Sequence, residues 1–484
     1  MTVAALVRPH LARPGPHSAE GGKLSLRQDG LRWALFVLLL FTVSRLHQYN
    51  SVTTAIRPVL LLTFVVAGYA YVNPRLINAT SLVKYWPAKI LMALGILACI
   101  SVPFGISIGN SGRFILEVFS KNVILAFLLI AGCRTVRDLY SFTWAYVLGC
   151  GVLSYMAIFV FKLQQHGRDY SYARLVGLHN WDANDVAVVL TLGFALTLVM
   201  LQTVKDLPRR LLCLTVLVGI AGTFARSGSR GGFLGFLAIA ASILLLTWGV
   251  SILKKMLLLA VAAVALIQFA PAGYWEQMET IKDLKNDYNY TETDGRKQVA
   301  QRGIGYMRDH PFFGIGINNF TKAECTISDK AKNRRLGGGI RCTPPHNSFV
   351  QAAAELGVPG FLLWSSLLLG GIGAVIRLRS RLPAHWSRGT EEERFLFYTC
   401  QYLPVGIIGF TVTVFFLTFA WLEIYYILAA FIAGLMFCVD RQLGRLTDSG
   451  RPEAVRKASP PRRRSGWRSH RLSGPAAGIE SPRG

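Results

Sequence analysis

Residues 183–203 read ANDVAVVLTLGFALTLVMLQT, and past Asp185 no charged side chain appears until Lys205. A helix of about 20 such residues crosses a hydrocarbon core of roughly 30 Å. Only a helix satisfies every backbone N–H and C=O within one segment where no water can reach them. The stretch is bracketed as well. Asp182 and Asp185 stand where helix N-caps stand, and Lys205, Arg209 and Arg210 follow the run. The same two aspartates could instead form a carboxylate pair for a divalent metal.

Outward from this run the pattern repeats. Apolar stretches lie at about 31–49, 54–72, 85–105, 114–132, 138–161, 209–224, 231–248, 254–272, 352–376, 395–419 and 421–439. The segment 209–248 counts as two because Arg226 and Arg230 interrupt it, and one helix of that length would overshoot the bilayer. Ser227-Gly228-Ser229 supplies the hairpin. Composition agrees: 52% of the 484 residues are apolar and only 16% are charged, against about a quarter charged in soluble domains.

A net charge of +26 would suit a nucleic-acid binder, but its distribution suits a membrane protein better. With twelve spans both termini share a side. On that side fall Arg27 and Arg32, Arg75, Lys84 and Lys89, Arg134 and Arg137, Lys205 to Arg210, Lys254 and Lys255, and Arg377 to Arg394. This is the positive-inside arrangement. The expectation is an all-α polytopic inner-membrane protein with no nucleic-acid partner. Residues 1–30 form a cytoplasmic segment without a cleavable signal, since the first apolar run is long enough to span. Spans one to nine occupy 31–272, a periplasmic loop 273–345, and the last three spans 346–439. Residues 440–484, with Pro460-Pro461-Arg462-Arg463-Arg464, form a disordered basic cytoplasmic tail able to touch anionic membrane lipids.

The loop 273–345 is too long to lack a purpose. It contains helical patterning at 295–309 and a turn-rich stretch from Pro311 to Gly316. Of eight cysteines, Cys325 and Cys342 alone lie in this loop, and an oxidising periplasm would let them form a disulfide. The other six lie in or beside spans as small packing residues. With no further Cys or His at ligand spacing in the loop, a metal site is not expected there.

External arginines oppose the usual bias and need a reason. Arg226 and Arg230 flank the tight hairpin, and Arg168 and Arg174 precede the sixth span. They either snorkel to headgroups or converge on an anion, for which guanidinium forks suit paired phosphate oxygens. Glu117 and Lys121, four apart within the fourth span, are expected to pair as interior glue, with a site wall as the alternative. His346 follows Cys342-Thr343-Pro344-Pro345 where the loop re-enters the membrane. It is either a plain interfacial residue or a general base suited to neutral pH, and residue chemistry leaves the two readings level.

The stretch His346-Asn347, then Ser348 to Leu356, then Gly357-Val358-Pro359-Gly360 resembles the signature of the O-antigen ligase and O-antigen polymerase superfamily. Arg308-Asp309-His310-Pro311-Phe312-Phe313-Gly314-Ile315-Gly316 looks like its "hPl-G-G" segment, Ser229-Arg230-Gly231 its "SRG" turn, and Arg174-Leu175-Val176-Gly177 its Arg-x-x-Gly. The resemblance covers roughly 110–375. It implies a GT-C-like membrane glycosyltransferase that moves an oligosaccharide from undecaprenyl diphosphate to an acceptor hydroxyl, without metal, nucleotide or other cofactor. The acceptor would be a second lipid-linked glycan, a lipid A core sugar or a protein. Carried over, His346 becomes the base, Arg174 and Arg296 the diphosphate clamps, and Arg230 a structural or secondary anion contact; Arg302 competes with Arg296. Asn347, Gly357 and Gly360 complete the motif. A lipid-linked sugar flippase or small-solute transporter is the competing class. Against it stand the absence of an internal repeat and the gathering of unusual residues outside the membrane.

Overall fold

The computed structural model describes residues 21–49, 51–166, 172–176, 182–282, 292, 294–332, 342–449 and 484. Arg168, the Asn180-Trp181 dipeptide, Gly177 and the tail around Pro460 to Arg464 lie outside them. The chain forms two compact units, Met1–Asp440 and Arg441–Gly484; in the second, residues 441–449 are helical.

The protein is an all-α polytopic membrane protein. Ten helices are long and apolar enough to cross a membrane, and Gly30–Ser44 and Arg230–Leu246 are shorter apolar helices. In chain order the main elements are α1 Gly21–Ser44, α2 Pro58–Val72, α3 Trp86–Phe104, α4 Ile108–Gly132, α5 Val136–Phe159, β1 Lys162–His166 and β2 Tyr172–Val176. There follow α6 Ala183–Thr203, α7 Leu207–Ser227, α8 Arg230–Leu246 and α9 Ile252–Phe269. The large loop holds α10 Tyr274–Glu279, α11 Arg296–Asp309 and α12 Phe320–Thr326. The chain then runs through α13 Ser348–Arg381, α14 Glu391–Phe415 and α15 Glu423–Ser449. Each of the twelve apolar runs read from the sequence falls on one of these helices.

Burial sorts the helices by their surroundings. The most apolar stretch of α6 is 89% buried within the protein, that of Val52–Val72, which ends in α2, only 17%. Along α9, Leu253, Leu257, Val264 and Ile267 are exposed. A soluble monomer does not leave such an apolar stripe in water, so α2 and α9 turn these faces to lipid. At the centre α6 packs on α14, and α8 packs on α14 through small residues. A Cβ added to Gly235 would lie 3.0 Å from the Gly409 carbonyl oxygen, the close backbone approach that small residues allow between spans.

At the end away from the large loop several arginines are paired. Arg32 donates to Asp138 at 2.7 Å and Arg134 to the same carboxylate at 3.2 Å. Arg209 reaches Glu391 at 3.2 Å, and Arg394 donates twice to the Thr203 carbonyl. The last two contacts fix the base of α14 against α7 and α6, and Tyr140 of α5 donates to the same Glu391 at 2.8 Å.

Several boundaries differ from the sequence reading, among them the first run, whose helix ends at Ser44 rather than 49, and three have a clear physical reason. The run at 54–72 is broken at Arg57, which adopts a left-handed conformation (φ 52°), so α2 starts at Pro58. The runs 395–419 and 421–439 do not meet almost end to end: residues 416–422 leave the helices, because Ser348, Gln351 and Trp364 of α13 capture their backbone. The helix expected at 352–376 runs from Ser348 to Arg381 and is interrupted at Gly357 (φ 68°, ψ −167°).

Candidate functional site

The signature region is a half-helix, Ser348 to Leu356, between the large loop and the connection 416–422. Asn347 caps it by accepting the Phe349 and Val350 amides at 2.9 and 3.0 Å. Four donors and acceptors lock it to the connection. Ser348 Oγ donates to the Leu417 carbonyl at 2.8 Å and accepts the Phe419 amide at 2.8 Å. Gln351 accepts the Ala420 amide at 3.1 Å, and Thr418 Oγ1 accepts the His346 amide at 2.8 Å.

His346 itself sits at φ 49°. A left-handed non-glycine residue costs on the order of 1–3 kcal/mol and persists only where its surroundings dictate it. Here the Thr418 bond and the Asn347 cap do so on either side. The backbone is thus bent at the residue that bears the imidazole.

Gly357 has a backbone conformation open in practice only to glycine. The break lets the Val358 amide donate to the Pro311 carbonyl at 2.8 Å, while Ile315 donates to Ala354 at 2.9 Å. A Cβ on Gly357 would fall 2.5 Å from the Pro311 oxygen, and one on Gly314 would strike the Glu355 backbone. The His310–Gly316 segment and the Gly-x-x-Gly are therefore two halves of one joint. Glu355, 1% exposed, completes it. Its carboxylate accepts the Asn318 amide at 2.7 Å, the Phe320 amide at 3.3 Å and the Trp421 indole N–H at 2.6 Å. Sequence reasoning passed over Glu355, although a lone carboxylate among apolar residues was a usable signal.

Arg174 lies on β2, opposite Gln164 of β1. Its guanidinium donates to Asn184 Oδ1 at 3.1 Å and to the Ser227 carbonyl at 3.5 Å. Ser229 donates to the same Asn184 oxygen at 2.7 Å. The turn joining α7 to α8 needs Gly228, which ends α7 at φ 57° and leaves room for Arg174; a Cβ there would lie 2.9 Å from the Arg174 Cγ. Ser229 then starts α8 by accepting the Gly232 amide. Arg230, first residue of α8, donates to Thr280 Oγ1 at 2.9 Å.

One contact links the two halves. A Cβ on Gly231, beside Arg230, would meet Phe416 Cβ at 3.1 Å and Leu417 Cγ at 3.5 Å. The connection that holds His346 through Thr418 thus also seats the turn that carries Arg230 and abuts Arg174. Asn184, Thr418 and residues 416–417 carry no motif, which is why sequence reading did not find them.

Arg296 opens α11, whose Val299 and Tyr306 pack with Ile315, Phe320 and Ala354 in a buried cluster. It is carried on a helix docked against the half-helix that His346 leads. Arg302 is otherwise employed. It donates to Glu324 at 2.9 Å from Nε and 2.5 Å from Nη2, and Tyr306 adds a 2.9 Å bond. Glu324 is 0% exposed. The hydrogen bond to Glu324 raises the Arg302 pKa further, and burial pushes the Tyr306 hydroxyl above its ordinary value, so both remain donors.

Arg226 is not a loop residue but the last turn of α7, where it donates to the carbonyls of Ala157 and Phe161 at 2.8 and 3.5 Å and so caps the end of α5. Asp182 and Asp185 form a reciprocal cap on α6, with the Asp182 amide donating to Asp185 at 2.6 Å. Among the described residues Glu117 and Lys121 form no ion pair with each other; both line a cavity. Cys325 and Cys342 are joined by a disulfide.

No curated protein matches the chain. Residues 214–365 match a family model described as O-antigen ligase, an interval that holds Arg230, Arg296, His346-Asn347, Gly357 and Gly360 but ends before the 416–422 connection. That match supports placing residues 214–365 with the O-antigen ligase and O-antigen polymerase superfamily and its ligase- or polymerase-type function in cell-surface polysaccharide assembly, and the apolar helices mark an integral membrane protein.

Proposed function

We propose that the protein transfers an oligosaccharide from undecaprenyl diphosphate to an acceptor hydroxyl at the periplasmic face of the bacterial inner membrane. In this reading all twelve apolar helices span, both termini are cytoplasmic, and 273–345 is a periplasmic loop. The acceptor oxygen attacks the anomeric carbon while His346 takes its proton; the bond from that carbon to the diphosphate breaks, and undecaprenyl diphosphate departs with the electron pair. Such a leaving group needs fixed positive charge where its charge develops. Arg174 and Arg296 supply it, with Arg230 as a secondary contact. Arg302, held by Glu324, serves the fold instead. No metal is required in this scheme, because guanidinium groups stabilise the leaving diphosphate.

The observation that carries the reading is the shared connection 416–418. It seats the left-handed His346 through Thr418 and, through Gly231, the turn that carries Arg230 and touches Arg174. A base and an anion clamp on separate stretches of sequence are thereby coupled.

Arg174→Lys is the test. It keeps the charge but loses the planar fork that bonds both Asn184 and the Ser227 carbonyl. Purified Arg174→Lys should insert and elute normally yet transfer at least tenfold more slowly. Parent-like turnover would exclude a bidentate role. A flippase would show no transfer in detergent.

A further inference from the structure

At the end of the bundle away from the large loop, α8 stops short. Its 17 residues reach about 25 Å at 1.5 Å per residue, less than a hydrocarbon core of roughly 30 Å. α13 and α14 are longer, at 34 and 25 residues. α8 and α13 both pack against α14, and a recess opens between them where α8 ends. Leu246, Trp248, Ile376, Arg379 and Gln401 help to line it. Its enclosed part is only about 30 Å³, the share of one water in the liquid. A free sugar or nucleotide does not fit there. One oxygen of a group that otherwise lies outside does.

Arg379 dominates the recess. Its guanidinium stacks on the Phe397 ring, 3.7 Å from the centroid, which fixes its plane and leaves its edge to bond. Nε is sealed from solvent, so the recess meets the terminal nitrogens. Among the described residues no carboxylate is paired with this guanidinium, and none of the seven lining residues is acidic. A cation at that depth is costly until an anion reaches it.

The surroundings say where the anion comes from. Leu245, Trp248, Ile252 and Leu253, in the α8–α9 connection and its flanks, are exposed, as a lipid-facing edge is. A tryptophan at a helix end marks the headgroup level. Arg377, Arg381 and Lys254 add an exposed basic rim, to which anionic headgroups are drawn.

We propose that the recess seats one anionic phospholipid of the leaflet opposite the large loop. A phosphate oxygen meets the terminal nitrogens of Arg379, Trp248 covers the glycerol, and the acyl chains lie along Leu246 and Ile376. The lipid fills the length that α8 lacks. The proposal needs α8 to cross the membrane, as the reading above has it, but neither donor nor acceptor.

Native mass spectrometry of the purified full chain, with phosphatidylglycerol or phosphatidylcholine added to the detergent, tests it. The parent should retain one phosphatidylglycerol, with phosphatidylcholine held about tenfold more weakly, the scale of a hydrogen-bonded charge. Arg379→Met keeps an unbranched stem over Phe397 and removes the fork, so phosphatidylglycerol retention should fall about tenfold or more. Arg377→Gln, two residues away and on another face of the helix, should cost about fivefold at most, as for one charge near a lipid surface. Trp248→Ala, in an exposed connection, should also release the lipid, and it carries the test if Arg379→Met does not fold. Equal retention of the two lipids, displacement by inorganic phosphate, or equal losses in Arg377→Gln and Arg379→Met would overturn the proposal. A protein inactive in glycan transfer would still give the expected result, and one that transfers glycan but retains no lipid would overturn this proposal alone.

Discussion

Gly357→Ala probes the joint that orients His346. The native backbone, φ 68° and ψ −167°, costs a residue with a side chain on the order of 1–3 kcal/mol. The new methyl would also sit 2.5 Å from the Pro311 oxygen and 2.9 Å from the Phe312 carbonyl carbon. Relief requires Pro311 to withdraw, which gives up the 2.8 Å Val358–Pro311 hydrogen bond, worth about 0.5–1.5 kcal/mol. Together these weaken docking of the Pro311–Gly316 segment by about 2–4 kcal/mol. At about 1.4 kcal/mol per tenfold, its open population rises some thirty- to several-hundred-fold. Hydrogen–deuterium exchange reads this directly, because the Val358 and Ile315 amides donate across the joint. Both should exchange faster by that factor, while amides of α6 stay protected. Gly305→Ala is the control, since a Cβ there meets nothing within 4 Å and alanine favours a helix by about 0.5–1 kcal/mol. Unchanged exchange at Val358 and Ile315 in Gly357→Ala would refute the reasoning.

Two further outcomes follow from the loop. Arg302→Met leaves the fully buried Glu324 without its ion-pair partner, which should destabilise the loop by about 3–5 kcal/mol and make α11 protease-sensitive. Arg296→Met should stay folded and lose transfer, and the opposite pattern would exchange the two roles. For the disulfide, Cys325 and Cys342 are 17 residues apart, so opening it should cost about 3 kcal/mol of loop stability. Mass spectrometry of unreduced protein should find the two peptides joined; two alkylated thiols would contradict that.

The membrane-spanning helices were legible because a bilayer imposes length and apolarity on every segment, independently of partners. Arg302 shows where that legibility stops. Its closeness to Arg296 on α11 made it a competing clamp candidate, and only Glu324, 22 residues on, shows that its charge is already met. The 416–422 connection was hidden for a related reason. Its residues are apolar enough to read as helix, and they leave the helix because Ser348, Gln351 and Trp364 offer their backbone other partners. The cavity lined by Glu117 and Lys121 was half legible: four apart, they carried a site wall as their alternative reading, whereas Asp185 joins them only in three dimensions.

The most direct measurement gives purified protein in detergent an undecaprenyl-diphosphate-linked oligosaccharide and a glycan acceptor, with chelator present, and follows product by mass. The account predicts glycan joined to acceptor by the parent protein. It predicts loss of at least a hundredfold in His346→Ala, on the scale of a missing general base, with elution and disulfide unchanged. Full transfer by His346→Ala would contradict the central claim.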